Sequence, residues 1–592
     1  MNYTLPKKWF KNVANVTLGV VGRNLWMIYC KAPFDPELSA ATSSNYYMNV
    51  DYFMQPSLRN IGFNVKSSIL ILKEIHVMKN YLKHITLGAA LLMLAGGCTD
   101  KFEEYNTNQY QIHEADPATL MKSMIETIVN IQQNDSQMMD QMVGQLGGYL
   151  CCSNTWSGTN FGTFNPSDAW SAGPWNTPFE KIYGNFFQIQ EATNSTGHYY
   201  AFACMIRAIT MLRVADCYGP LPYSQVKKGN FYVAYDSQEE VYKHILEDLA
   251  NAASVLYDYY VGTSGFAPLG SNDPVFGGNY ASWAKLANSM RLRVAMRISN
   301  AWPDMAKEAA EAAVADKAGL IETNADNAMM DCGTQTNPYQ LAAVSWGDLR
   351  VNANIVDYMN AYNDPRMPKY FNKSTMTGKT DQYVGMRTGD SNFDKGAASA
   401  FSTPAISGSD KLLVFCAAET AFLRAEGILR GWNVGNKSAK EYYETGINLS
   451  MEQYTVAADD YLAIDQAPVV SHASDDVQNA PASITNTVSV KWDDNDNSLT
   501  GKNFQRIITQ KWIANYPLGM EAWAEYRRTG YPELYPCIDN LSDCGVSSIR
   551  GMRRLSFPYT EAQNNTANHN QGVAELGGAD NEATDLKWAK KN

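Results

Sequence analysis

The chain is poor in histidine and short of positive charge. It holds 7 His in 592 residues. The patterns His-Glu-x-x-His, Gly-x-Ser-x-Gly and Gly-x-x-x-x-Gly-Lys-Ser/Thr, which mark zinc hydrolases, serine hydrolases and phosphate-cradling loops, are absent. Its 48 Lys and Arg are outnumbered by 60 Asp and Glu, leaving a net charge of −12. That balance repels nucleic acid and anionic lipid. No apolar run reaches the roughly 18 residues that a membrane-spanning helix needs. Its 10 Cys show no zinc-ligand spacing. Glycoside hydrolysis needs two carboxylates about 5–10 Å apart. With 60 acidic residues such pairs are bound to occur, so a surface hydrolase stays as an alternative that sequence alone does not remove.

What is present describes a folded, aromatic-rich body. Apolar residues make up 45% and charged residues 18%, the proportions of an ordinary globular protein. Aromatics reach 12%, with 35 Tyr and 13 Trp. The length predicts several packed units rather than one simple core.

Residues 78–98 carry the order of a secretory leader. Met78 precedes Lys79 and Lys83, an apolar stretch runs from Ile85 to Ala95, and Gly96-Gly97-Cys98 follows. A Cys directly after small residues resembles a lipobox, which makes Cys98 the expected lipidation site and the start of the mature chain. The lipobox Leu expected three places before the Cys is Ala95 here, with Leu94 one place further back. Asp100, Lys101, Glu103 and Glu104 then resemble the acidic start of surface-exported Bacteroidetes lipoproteins. Several acyl chains on one Cys hold a protein firmly, whereas one holds weakly. The alternative is an amphipathic helix that ends in Gly-Gly-Cys.

Residues 1–77 precede this leader. Two stretches, 15–26 and 57–69, alternate apolar and polar residues with the period of two of barrel strands. Between them lie Lys31-Ala-Pro-Phe-Asp-Pro-Glu37 and a Tyr-rich turn. The segment resembles the final strands of a SusC-like TonB-dependent transporter. Two or three strands cannot close a barrel, and open edges cannot sit in lipid. The segment therefore reads as the end of an upstream transporter gene running into this one, to be discarded on processing at Cys98. An N-terminal β-domain with its own role is the alternative. The expected organisation is thus a transporter-like fragment (1–77), a leader (78–97) and a binding body (98–592).

The body reads as mainly α. Helical spacing of apolar residues marks 199–218, 237–260, 281–301, 304–315, 412–430, 439–454 and 507–526. Several of these pair across short turns like tetratricopeptide hairpins, although no 34-residue consensus repeats cleanly. Between them, 150–180, 261–280, 372–410 and 455–505 are rich in Gly, Ser, Asn, Asp and Pro. They read as long irregular loops, which in compact proteins are usually functional or mobile.

An ordered set of motifs then identifies a resemblance. It comprises Ala215-Asp-Cys-Tyr-Gly-Pro-Leu-Pro-Tyr223, the run 273–298, Asn363-Asp-Pro-Arg366, the run 419–432, Gln510-Lys-Trp512 and Glu521-Ala-Trp-Ala-Glu-Tyr-Arg-Arg-Thr-Gly-Tyr-Pro532. Arg553-Arg554 and 559–568 complete it. Together they resemble the SusD/RagB family over nearly all of 98–592. Departures are Pro220, where that family often has Asp, and Lys587-Trp588, where a Trp pair is common. The resemblance implies a helical body with tetratricopeptide-like hairpins that docks as a lid on a SusC-like TonB-dependent transporter. It also implies glycan or peptide capture at the outer membrane and no catalysis. Arg291, Arg293, Arg297, Arg527, Arg528, Arg553 and Arg554 read as partners of carboxylates or loop caps rather than ligand contacts. Trp512 and Trp523, at helical spacing, read as core.

The stretch 155–186 looks most like a binding site. It sets Trp156, Phe161, Phe164, Trp170, Trp175, Phe179 and Tyr183 among small polar residues that include Asn154, Asn160 and Asn165. Sugars stack C–H faces on aromatic rings and offer hydroxyls to short polar side chains, so such a loop supplies both partners. In SusD-type proteins the corresponding loop contributes ligand contacts. A second candidate runs from Asn337-Pro-Tyr-Gln340 to Trp346. The expected ligand-binding residues are Trp156, Asn160, Phe161, Trp170, Trp175, Tyr339 and Trp346, with Trp156, Trp170 and Tyr339 foremost. The alternative for each is a ring that pins its loop to the body.

Asp493-Asp-Asn-Asp-Asn497 offers oxygen ligands of the kind Ca²⁺ takes but lacks the Gly and Glu of an EF-hand loop. It reads as a solvated turn, and no cofactor is expected. Cys151 and Cys152 are adjacent, Cys537 and Cys544 lie close enough to bridge, and the other body cysteines read as buried thiols. Three functions follow: a glycan-binding surface lipoprotein, with peptide as the alternative ligand, a helical adaptor that binds only protein, or a surface hydrolase.

Overall fold

In a computed structural model of the chain, residues 2–6, 8, 14–23, 60–69 and 116–590 are described. The chain divides into two compact units, Met1–His113 and Glu114–Asn592. Cys98, the expected leader and the 31–37 stretch lie outside the described residues.

In the first unit, β1 (Asn2–Thr4), β2 (Ala14–Arg23) and β3 (Asn60–Ile69) form an antiparallel sheet in the order β1-β2-β3. The two longer strands occupy the stretches whose alternation predicted them. Their register sets Leu18 opposite Val65 and Val20 opposite Phe63.

The second unit is mainly helical. Its longer helices in the first half are α1 (Pro117–Ile125), α2 (Asp168–Ala192), α3 (Gly197–Tyr218), α4 (Gln238–Gly262), α5 (Tyr280–Ile298) and α6 (Pro303–Ala315). Those in the second half are α7 (Ala353–Ala361), α8 (Ala417–Leu429), α9 (Ala439–Gln453), α10 (Lys502–Ala514), α11 (Gly519–Thr529) and α12 (Thr566–Leu576). Helices α3 to α6 pack each on the next, as do α8 and α9, giving the expected helical hairpins. Helices α4 and α9 each open with a capping box, Ser237 with Glu240 and Ser438 with Glu441, worth about 1 kcal/mol per cap. Small antiparallel ladders tie the loops down: β4 (Leu150–Cys152) on β6 (Leu349–Val351), β5 (Ala328–Met330) on β7 (Leu412–Phe415), and β8 (Val470–His472) on β9 (Ala482–Ile484).

Three expected elements differ. The stretch 150–180, read as loop, carries the first half of α2, with Pro174 and Pro178 inside the helix. Aromatic packing wins there. Trp175, Phe179 and Tyr183, four residues apart, stack with centroids 5.1 and 5.5 Å apart along one face. The expected helix 412–430 begins as β7, because pairing with β5 claims its first residues, and becomes helical as α8. The expected helix 507–526 is two helices, α10 and α11, broken at Tyr516-Pro517, where proline has no N–H to donate.

The motif arginines go inside. On α5, Arg293 grips Glu419 of α8 with two hydrogen bonds, Nε–Oε1 at 2.8 Å and Nη2–Oε2 at 2.6 Å. Arg297 reaches Glu521 of α11 at 2.6 Å. Lys511 of α10 lies 3.0 Å from Glu525, and Arg528 bonds both Glu525 and Glu426 at 2.7–2.8 Å. Burial raises the carboxyl pKa of Glu426, Glu521 and Glu525, but the surrounding cations outweigh it. Arg528 does this for Glu426 and Glu525, and Arg297 for Glu521, so all three sit below the usual carboxylate range. Arg553 bonds Asp585 at 2.6 Å and Arg554 bonds Asp580 at 2.5 Å, while the nearest carboxylate to Arg291 is Asp316 at 3.8 Å. Arg527 donates to the carbonyls of Asp216 and Arg553 and lies over the Trp523 ring. Trp512 and Trp523 are core, as their spacing predicted.

The close approach of α11 to the 144–147 turn depends on glycine. A Cβ on Gly519 would stand 2.3 Å from the Gly144 carbonyl oxygen, and one on Gly147 would stand 2.3 Å from the Gly519 carbonyl oxygen. The Asp-rich turn is a helix-capping loop: Asp496 accepts the Asn503 backbone N–H at 3.2 Å at the start of α10, and Asp493 accepts that of Asn495 at 3.0 Å. Cys537 and Cys544 do not bridge. Both are free thiols, Cys537 Sγ donating to the Gly162 carbonyl at 3.2 Å and Cys544 Sγ lying 3.4 Å from Glu582.

Candidate ligand-binding site

The β4–β6 ladder builds the site. Its antiparallel register pairs Cys152 with Leu349, so the chain leaving β4 and the chain entering β6 lie at the same end. Ser153 N–H donates to the Asp348 carbonyl at 2.8 Å and Ser153 Oγ to the Gly347 carbonyl at 2.9 Å. Two segments nearly 200 residues apart in sequence, 153–158 and 346–348, are thereby held side by side.

Trp156 is held tightly in a backbone conformation that residues with a Cβ rarely adopt. Its φ is 47° and that of Ser157 is 59°, left-handed positions that cost about 1–3 kcal/mol each. The surroundings hold them there. Asn154 Oδ1 accepts the Trp156 backbone N–H at 3.0 Å, Asn165 Nδ2 donates to the Gly158 carbonyl at 2.8 Å, and the Trp156 indole N–H donates to Cys152 Sγ at 2.8 Å. Burial pushes the Cys152 thiol up to about 12, so it stays protonated and donates to the Asn154 carbonyl at 3.0 Å. With its one polar group engaged, the Trp156 ring has its faces left for apolar contact. Trp170, in the first turn of α2, lies against it with centroids 5.3 Å apart and planes tilted by 54°. Both rings are half-buried, and Trp346 beyond Gly347 is exposed.

A polar edge accompanies the rings. Asp348 Oδ1 accepts from Asn154 Nδ2 at 3.1 Å and from Lys395 Nζ at 2.5 Å. Arg350 fixes the approach of the second segment by donating to the Ala343 carbonyl at 2.9 Å and to the Ala398 carbonyl at 3.2 Å. A platform of indole faces beside amide, carboxylate and ammonium groups suits a ligand with flat apolar faces and many hydroxyls.

Of the expected residues, Trp156 and Trp170 form the stacked pair, Trp346 is exposed next to Gly347 in the adjoining segment, and the others lie elsewhere. Phe161 and Trp175 are 1% and 4% exposed and belong to the core. Asn160, 8% exposed, braces its own loop by accepting the Gly162 N–H at 2.6 Å. Tyr339, 4% exposed, lines a different cavity. Sequence reasoning missed Asp348 and Lys395, which carry no local motif and meet only through the fold. Among the described residues, no three His, Cys, Asp or Glu side chains converge as a metal-binding group, and no helix is long and apolar enough to cross a membrane.

Against known proteins, residues 99–589 match a family model described as SusD-like, Susd and RagB outer membrane lipoprotein. Among solved structures, the chain is similar to a SusD-like protein from Bacteroides thetaiotaomicron, 34% identical with a TM-score of 0.76 over 81% of this chain and 99% of that one. A SusD homolog from Bacteroides uniformis is 38% identical with a TM-score of 0.73, covering 80% of this chain and 99% of its own. A chitin-binding SusD homolog from Flavobacterium johnsoniae is 33% identical, with a TM-score of 0.74 over 80% of this chain and 99% of that one. No curated protein matches the chain.

Proposed function

The chain belongs to the SusD/RagB family of outer membrane lipoproteins, and on that premise we propose that it captures glycans at the cell surface on the Trp156–Trp170 platform. The observation that carries this reading is the tilted indole pair, 5.3 Å between centroids, held on a left-handed backbone, with exposed Trp346 in the adjoining segment. Strain of that kind persists where the surroundings over-determine it, and it clusters at ligand sites. A sugar lays its C–H faces on the indoles, while Asn154, Asp348 and Lys395 meet its hydroxyls. The platform binds and does not cut, so the chain is not an enzyme. The chitin-binding relative supports a polysaccharide as the ligand class.

Three further points complete the reading. Cys98 is the lipidated residue that ties the body to the outer membrane, with the platform facing outward. A SusC-like TonB-dependent transporter takes up the captured glycan. The strands of the first unit correspond to the end of such a transporter, encoded immediately upstream. No cofactor takes part.

Calorimetric titration of the chain against a panel of polysaccharides and peptides tests the ligand class. Saturable heat with a glycan supports the reading. Heat with peptides alone keeps the capture role and overturns the sugar. Silence across the panel favours a helical adaptor that binds only protein.

A further inference from the structure

The segment 337–346 serves two places. Trp346 at its end is exposed next to Gly347, which Ser153 bonds, whereas Tyr339 near its start lines a separate cavity of about 670 Å³. That volume lies within the range of small-ligand sites, about 300–1,000 Å³. The cavity shares no lining residue with the platform. Its walls come from the ladder of β5 with β7, the end of α9 and the break between α10 and α11.

Its aromatic lining is tyrosine. Tyr370 stacks on Tyr516 with centroids 4.9 Å apart and planes at 17°, and Tyr454 meets Tyr370 edge-on at 4.8 Å. Tyr339 and Tyr516 are buried, while Tyr454 is half-buried and has a ring surface to offer. The Tyr516 hydroxyl is buried and closed to water, so Tyr516 serves the cavity wall through its ring. The charged lining is balanced, Lys369 and Lys411 against Asp410 and Glu452. Asn327 and Asn337 already donate within the protein, the latter to the Asp410 carbonyl at 3.0 Å. A balanced, hydroxyl- and amide-lined cavity with an aromatic wall favours a neutral, hydroxyl-rich ligand over an ion or a lipid.

We propose that this tyrosine cavity is a second saccharide-binding site, distinct from the tryptophan platform and suited to a neutral sugar. A sugar face lies on Tyr454, and its hydroxyls meet the charged lining of Lys369, Lys411, Asp410 and Glu452. Two sites on one body let a polysaccharide be held at two points, which raises avidity without any new contact at either. The proposal deepens the glycan reading and rests on it for the ligand class.

The test is saturation-transfer NMR on the full chain with glucose, galactose and N-acetylglucosamine. It compares the unmodified chain with Trp156→Ala/Trp170→Ala, with Tyr454→Ala, and with Ile406→Trp, which fills the cavity without removing its packing. Sugar signal that survives in the tryptophan variant and disappears when Tyr454→Ala or Ile406→Trp is added supports the second site. Affinity at the cavity should fall about tenfold with Tyr454→Ala. If the tryptophan variant alone silences every sugar, the cavity proposal falls and the platform stands. If only the cavity variants silence them, the platform falls and the cavity stands. No signal in the unmodified chain overturns both. Circular dichroism of each variant separates a lost site from a lost fold, and Ile406→Trp decides the matter if Tyr454→Ala does not fold.

Discussion

The interior of the helical body and the platform at its edge use polar residues in opposite ways. Inside, Arg293, Arg297, Lys511 and Arg528 are spent on Glu419, Glu521, Glu525 and Glu426. At the edge, Asn154 and Cys152 hold the half-buried Trp156 in place, and Asp348 holds Asn154. The motif-rich helices that most resemble a family build the scaffold. The irregular segments between them carry the proposed site. If the platform is the site, stability and recognition belong to different residues, and substitutions should separate them.

The largest effect should come from breaking the interior pairs. Glu419→Ala leaves Arg293 and Lys511 buried with fewer partners and should lower stability by about 3–5 kcal/mol, read by urea unfolding, while folded protein binds glycan unchanged. A loss under about 1 kcal/mol would show that the network is not what holds α5 to α8. Next, Gly519→Ala drives a Cβ to 2.3 Å from the Gly144 carbonyl. It should cost about 1–3 kcal/mol, again without weakening capture.

The interior also sets a pH dependence. Glu426, Glu521 and Glu525 titrate below their ordinary range in the folded state. Their unfolded value is about 4.3. The stability they contribute is therefore complete above about pH 5 and drains away as the pH falls through the lower folded values. Thermal melts from pH 7 down to pH 3 should show it, and a melting temperature flat across that range would contradict the pairing. At the platform the order reverses. Trp156→Ala should weaken glycan binding about three- to tenfold while leaving the melting temperature nearly unchanged. Trp346→Ala, which removes an exposed ring outside the stacked pair, should have the smallest effect, about two- to threefold by the same arithmetic. A Trp346 effect larger than that of Trp156 would move the centre of the site to the second segment.

Most helices were legible because their apolar residues keep the 3.6-residue period and their ends carry Ser and Glu caps, as at Ser237 and Ser438. Helix α2 was not, because Gly173-Pro174 and Pro178 read locally as loop. The signal that reveals it is the four-residue spacing of Trp175, Phe179 and Tyr183, which only packing turns into a helix. Strand β7 was hidden for a different reason: Leu412–Phe415 is apolar enough for either element, and its partner β5 lies some 80 residues away. At the site, the aromatic residues stood out in sequence, yet which of them face outward depends on burial. Trp175 and Phe161 look no different from Trp156 until the core closes around them. Asp348 and Lys395 become neighbours of Trp156 only when β4 pairs with β6, and nothing local announces that.

The division between scaffold and platform is tested most directly by one titration. The Trp156→Ala/Trp170→Ala chain is titrated calorimetrically with a polysaccharide that the unmodified chain binds, and its melting temperature is recorded in the same buffer. Loss of at least tenfold in affinity at the platform, with melting within a few degrees of the unmodified chain, is the expected result. Unchanged affinity in a folded double variant would contradict it and place glycan capture elsewhere on the body.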